Sequence, residues 1–210
     1  FGASSLRAAL LSRLVRSAHC GLPAMSYASE RVRALQNAQR MLEFNARTGT
    51  VCAITGISQK ELLHLIPPRG AQSGRWPSTH EWYHTASLAQ RVEASLFAVQ
   101  YWRNRRNGFE VVESLIDAYG RYRKSVGEDP LISFDRAFNL ICHLEGNLWG
   151  VESRSFDIAV CPHCTCQHLI QLGDQTPIGA CIFCRWVQRF AVDARLQSRF
   201  PPKSLPVIAE

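Results

Sequence analysis

Cys161, Cys164, Cys181 and Cys184 form two Cys-x2-Cys pairs with sixteen residues between them. That spacing is a zinc-site signature, because each short pair presents two thiolates from one tight knuckle and two knuckles complete a tetrahedron. A sphere closed by four thiolates leaves no position for water, so the expected metal is structural rather than hydrolytic. Other chemistries use the same residues. A redox dithiol needs only one such pair, and no alternation of strand and helix surrounds these. Four cysteines can also hold an iron–sulfur cluster, but nothing else in the chain suggests electron transfer. Cys166, His163 and His168 lie close enough in sequence to exchange with a ligand, and their plain reading is a nearby thiol and two solvated imidazoles.

A second set of residues could read DNA. Over residues 48–67, Val51 and Cys52 are placed to pack a first helix, Gly56 to turn the chain, Ile57 to plug the turn, and Leu62 and Leu65 to face inward from a second helix. This is the pattern of a helix-turn-helix. The exposed face of its second helix then carries Ser58, Gln59, Lys60 and His64, which in a DNA reader approach bases or phosphates in the major groove. The same pattern also occurs in hairpins that pack against a partner or their own core. Arg69 and Arg75 in the next loop, with Arg185, Arg189 and Arg195 behind the last cysteine, could form a basic strip against phosphates.

The elements that must position these residues are mainly helical. Ser29 is placed to cap a first helix, with Val32, Leu35, Met41, Leu42 and Ala46 on one face and Gly49 as its stop. Two short apolar segments follow, broken at Thr55-Gly56, and Ser58 with Glu61 makes a capping box for the second. Pro67-Pro68 ends it, and residues 67–80 read as a loop rich in Pro, Gly and Ser. Three amphipathic helices are expected beyond it. Their stripes are Leu88, Val92, Leu96, Val99 and Trp102; then Phe109, Val112, Leu115, Ile116 and Tyr119; then, after a break at Gly127 to Pro130, Phe134, Phe138, Ile141, Leu144 and Leu148. Around the cysteines the period changes. Phe156, Ile158 and Val160 alternate, and Leu169 to Leu172 form a short apolar run, as in a ribbon of short strands turned by Gly173 and Gly179.

Composition bounds the class. With 210 residues, 46% apolar and 20% charged, the chain can bury one substantial core with a small appendage. Cys20, Cys52, Cys142 and Cys166 show no pairing pattern, which fits a reducing, cytoplasmic compartment, and no run approaches the roughly 18 apolar residues of a membrane span. The net charge is +7, from 24 basic and 17 acidic residues. Arg7, Arg13 and Arg16 lie in the acid-free head of residues 1–24, so the remainder holds 21 basic residues against 17 acidic, a modest surplus of four. That head also has the composition of an organelle transit peptide. We favour Met25, followed by Ser26, as the opening of the natural protein, with residues 1–24 an upstream or non-native extension. The expected division is a helical domain over 25–150, a zinc-binding module with a basic tail over 151–200 and a flexible end over 201–210. No polarised nucleophile, carboxylate pair or open metal site is legible, so an enzyme is not expected.

In order, the chain offers an N-terminal helix, a helix-turn-helix-like unit, Pro67-Pro68-Arg69-Gly70, Pro77-Ser78-Thr79 followed by Glu81-Trp82, Ala94-Ser95-Leu96-Phe97, Ala118-Tyr119 with Tyr122, and the four cysteines. This resembles FlhC, a subunit of the bacterial flagellar master transcriptional activator, over roughly residues 28–200. The first 24 residues and a longer loop at Ala71 to Arg75 depart from the usual form. The resemblance implies a complex with the subunit FlhD, binding to promoters of flagellar operons, recruitment of RNA polymerase carrying the housekeeping sigma factor, and Cys161, Cys164, Cys181 and Cys184 as ligands of one zinc ion. The competing expectation is a zinc-stabilised protein–protein adaptor that does not read DNA.

Overall fold

The computed structural model describes residues 27–65, 81–127, 129–173 and 180–199. The expectations for residues 1–24, for the 67–80 loop with Arg69 and Arg75, for Gly179 and for the end from 201 lie outside the described residues. The chain divides into two compact units, Phe1–Arg33 and Ala34–Glu210. Of the first, the described residues 27–33 are helical and open helix α1 (Tyr27–Glu43). Ser29 therefore lies inside the helix rather than capping it, and Val32 is 54% exposed rather than buried.

The chain leaves α1 earlier than Gly49. Asn45 adopts φ 59, a left-handed conformation that asparagine tolerates, and Ala46 N–H closes the end on the Met41 carbonyl at 3.0 Å. Ala46 is buried but outside the helix, and Gly49 falls within α2 (Thr48–Thr55). At the start of α2, the Asp135 carboxylate accepts Arg47 N–H at 3.2 Å and the Thr50 hydroxyl. At its end Gly56 takes φ 71 and donates to the Cys52 carbonyl at 2.9 Å. Helix α3 (Gln59–Leu65) follows, and Ser58 Oγ accepts Glu61 N–H at 3.3 Å, the cap expected of that serine. Val51, Ile57 and Leu62 are buried as expected. Leu65 is not: it is 50% exposed at the end of this seven-residue helix.

After a one-turn helix α4 (Glu81–His84), α5 (Leu88–Arg106), α6 (Val111–Val126) and α7 (Phe134–Glu145) build the core. Ser87 and Gln90 cap α5 reciprocally, at 3.3 Å and 2.9 Å, and Ser133 caps α7 by accepting Arg136 N–H at 3.3 Å. Leu115, Ile116 and Tyr119 on α6 and Phe134, Phe138, Ile141 and Leu144 on α7 are buried, the stripes read from sequence. Phe109 stands exposed ahead of α6, and Leu148 lies beyond α7 in a bridge to Val151. Helix α5 departs most. Leu96 is 44% exposed, whereas Ala94, Phe97, Ala98 and Tyr101 are fully buried, because α5 is covered by several elements and no single stripe marks its inner side. Tyr119 sits at the centre, its ring 5.1 Å from Phe134 and 5.2 Å from Phe44.

Several polar groups inside this core are paired. Tyr122 donates to the Glu93 carboxylate, which also accepts Leu131 N–H at 2.8 Å, and Tyr119 donates to the Ile132 carbonyl at 2.9 Å. The segment entering α7 is thereby fastened to α5 and α6. Burial pushes both phenols well above their ordinary pKa.

The last layer is an antiparallel ribbon of β1 (Phe156–Val160) and β2 (Gln167–Gln171), registered with Phe156 opposite Gln171 and Val160 opposite Gln167. Phe156 and Leu169 join the core, and Leu169 N–H donates to Ser95 Oγ at 3.2 Å, tying the ribbon to α5. Helices α8 (Ile182–Val192) and α9 (Ala194–Arg199) complete the chain, with α8 packed on α5. The architecture is mainly helical with a small four-cysteine module near the C-terminus, as the sequence implied.

Candidate metal centre and basic helix

The first knuckle turns immediately after β1. Cys161 N–H donates to the Cys166 carbonyl at 3.0 Å and Thr165 N–H to the Cys161 carbonyl at 3.0 Å, which folds Pro162 to Thr165 into a loop that faces both thiols one way. The second knuckle departs from a pure strand ribbon. Cys181 is the N-cap of α8, its sulfur accepting Cys184 N–H at 3.4 Å, so this pair is presented by the first turn of a helix.

All four sulfurs lie within 4.8 Å of one another. Cys161 and Cys184 are 4.0 Å apart, Cys164 and Cys181 3.5 Å, and Cys181 and Cys184 3.7 Å. A tetrahedral ion with metal–sulfur bonds of about 2.3 Å has sulfur–sulfur edges of about 3.8 Å, close to these separations, so the four thiols can hold a metal ion. Cys161 and Cys181 are buried, while Cys164 and Cys184 are partly exposed.

Local hydrogen bonds prepare the anions. The N–H groups of Cys164, His163 and Cys181 aim at Cys161 and pull its thiol down to about 5, with Cys164 the main donor, and Cys166 N–H likewise lowers Cys164. Cys181 is pushed up by burial, and Cys184 to about 12, first by its hydrogen bond with the Cys164 side chain. Four thiolates this close repel one another, and a bound cation reverses that balance by deprotonating the thiols that coordinate it. His163 and Cys166 are exposed, His168 is half-buried, and none of them belongs to the converging group.

The candidate DNA residues occupy other surfaces. Ser58 precedes α3, Gln59, Lys60 and His64 lie on it, and all four are exposed. Arg185 and Arg189 are exposed on α8, one turn apart and directly beyond the second knuckle, and Arg195 is exposed on α9. Arg189 Nε reaches Asp193 at 3.5 Å, and Asp193 Oδ1 also accepts Arg195 N–H at 3.0 Å, which sets the bend between α8 and α9. The two sets have different supports: α3 packs on α2, whereas α8 packs on α5 and α9.

A protein-family model described as flagellar transcriptional activator (FlhC) matches residues 25–197. The chain belongs to the FlhC family. Its members are flagellar transcriptional activators, a regulatory rather than an enzymatic class. A search among curated proteins finds no match. The match spans the helical core and all four cysteines, so the candidate metal centre lies inside the FlhC region.

Several residues that position these FlhC surfaces left little trace in the sequence. Asp135, 85 residues from Thr50, holds the start of α2, and Trp149 Nε1 donates to the Ala53 carbonyl at 3.0 Å from the other side. Ser95 anchors the ribbon. Each is a single polar atom whose partner is distant in sequence, so no periodicity marks it. The one available signal was Ser95 amid an apolar helix.

Proposed function

We propose that this chain is a DNA-binding subunit of a transcriptional activator that works with FlhD at promoters of flagellar operons and recruits RNA polymerase carrying the housekeeping sigma factor. The observation that carries this reading is the position of α8: a four-thiol centre grips its first turn, and its exposed arginines follow within two turns. One structural zinc ion per chain fits the donor set, because four thiolates satisfy a tetrahedral ion and leave no site for a reactive water. Its chemistry is to hold, not to react.

In this account Cys161 and Cys164 fix the end of β1, Cys181 and Cys184 fix the start of α8, and the join aims Arg185 and Arg189 at phosphates, with Arg195 extending the strip. Such contacts position the protein and supply salt-dependent affinity. Arg69 and Arg75 extend the strip in the same proposal, and Ser58, Gln59, Lys60 and His64 on the α2–α3 hairpin are the candidates for reading bases. The helical domain over 25–150 supports that hairpin, and the module over 151–200 supplies the clamp. Action in the cytoplasm is part of the reading, as suits a transcriptional activator.

Gel-shift titration against salt tests it. Affinity for a flagellar promoter duplex should exceed that for random duplex, and each of Arg185→Ala, Arg189→Ala and Arg195→Ala should reduce the log–log salt slope by roughly 1. Equal affinity for both duplexes, unchanged by these substitutions, sinks the reading. The adaptor alternative draws on the exposed Val187 and Val192 beside those arginines. It predicts binding to an acidic protein with no promoter preference.

A further inference from the structure

We propose that a groove between α5, α6 and the start of α8 docks an acidic amphipathic helix of a partner protein. The groove encloses about 510 Å³, and its floor is formed by Leu96, Val99, Tyr122 and Phe183. Leu96, the residue that the amphipathic pattern places in the core, is instead left in water here on the central helix. Leu96 and the half-buried Phe183 supply the accessible apolar surface of that floor, with Val99 and Tyr122 buried beneath it.

The rim decides the chemistry of the occupant. Arg103 on α5 and Arg121 on α6 border the groove, and among the described residues no carboxylate lines it. Both arginines are exposed. Arg121 Nε touches Asp117 at 2.9 Å in an exposed (i, i+4) pair, an interaction weak enough to be exchanged for a partner's carboxylate. Leu96 and Arg103 are two turns apart on one face, so the row along α5 extends about 10 Å. That matches two turns of a docked helix whose apolar side chains recur at i, i+3/i+4 and i+7. Charge complementarity then calls for glutamates or aspartates flanking the apolar row. A nucleic-acid backbone offers phosphates to the rim but nothing apolar to fill the floor.

The test uses the full-length protein with its metal and three synthetic helical peptides of about 14 residues, long enough for the i to i+7 row. One carries leucines at i, i+4 and i+7 with flanking glutamates, one replaces the glutamates by lysines, and one scrambles the first. By fluorescence anisotropy the acidic amphipathic peptide should bind one to one, about tenfold or more tighter than the others. Leu96→Glu should remove that advantage. Arg103→Glu with Arg121→Glu should reverse the charge preference in favour of the lysine peptide, with circular dichroism confirming that these surface variants fold. The proposal is overturned if the three peptides bind alike or not at all. It is equally overturned if the double charge variant leaves peptide binding intact and weakens promoter DNA, which would assign both arginines to phosphate. This proposal does not depend on DNA reading by α3 or α8, so the two can fail separately.

Discussion

Replacing Asp135 by Ala should loosen the α2–α3 hairpin from the core at a cost of about 3 kcal/mol. The carboxylate is buried and accepts the Thr50 hydroxyl and Arg47 N–H at 3.2 Å, with Arg47 Nε at 3.8 Å. Hydrogen bonds to a charged acceptor are worth about 1.5–3 kcal/mol each, and truncation leaves the fully buried Thr50 hydroxyl without its acceptor. The carboxylate also faces the positive end of the α2 dipole. Asp135→Asn keeps one acceptor and should cost about half as much. Urea unfolding followed by circular dichroism measures both, and a double-mutant cycle with Thr50→Val isolates the pair, whose coupling should exceed about 1 kcal/mol. If Asp135→Ala changes stability by less than about 0.5 kcal/mol, or if the cycle shows no coupling, Asp135 does not hold the hairpin and the reasoning fails.

Three further outcomes follow from the same geometry. Gly56→Ala should cost about 1 kcal/mol, because nothing crowds a Cβ there and only the φ of 71 resists a side chain; a neutral result would remove that strain from the account. Cys161→Ser should lose the bound metal while Cys166→Ser retains it, as measured by mass spectrometry of the native protein; equal retention would break the ligand assignment. Burial raises the phenols of Tyr101, Tyr119 and Tyr122 above their ordinary pKa of 10. Their folded pKa values exceed the unfolded ones, so the associated stability is complete below about pH 10 and is lost as pH rises beyond it. Ultraviolet titration should then show these three phenolates emerging only with unfolding; their early, reversible ionisation in the folded protein contradicts that.

The parts of the fold that sequence made legible are those where one physical signal dominates. The α6 and α7 stripes emerge because the large apolar residues of each recur at helical spacing, and the cysteine pairs because four thiols that converge on one point need that spacing. Where two influences compete, the pattern blurs. Helix α5 is covered from several sides, so Leu96 looks like core and is exposed, while small residues such as Ala94 and Ala98 are the buried contacts. The end of α1 rests on Asn45 entering left-handed space, while Gly49 lies within the next helix. At the candidate metal centre the four converging cysteines were legible, but the second knuckle sits on a helix because Cys181 doubles as its N-cap, a role that serine or aspartate usually advertises and cysteine does not. The groove beside α8 had no sequence signal, since Leu96, Tyr122 and Phe183 come from three separate helices.

The claim that the metal clamps a DNA-binding surface is tested most directly by titrating metal out of the purified complex with a chelator while following metal content, promoter affinity and far-ultraviolet circular dichroism on the same sample. The account predicts that promoter affinity falls in step with metal loss while most helical signal persists, and that both metal and affinity return when zinc is restored. Metal-free protein that binds the promoter with undiminished affinity would contradict it.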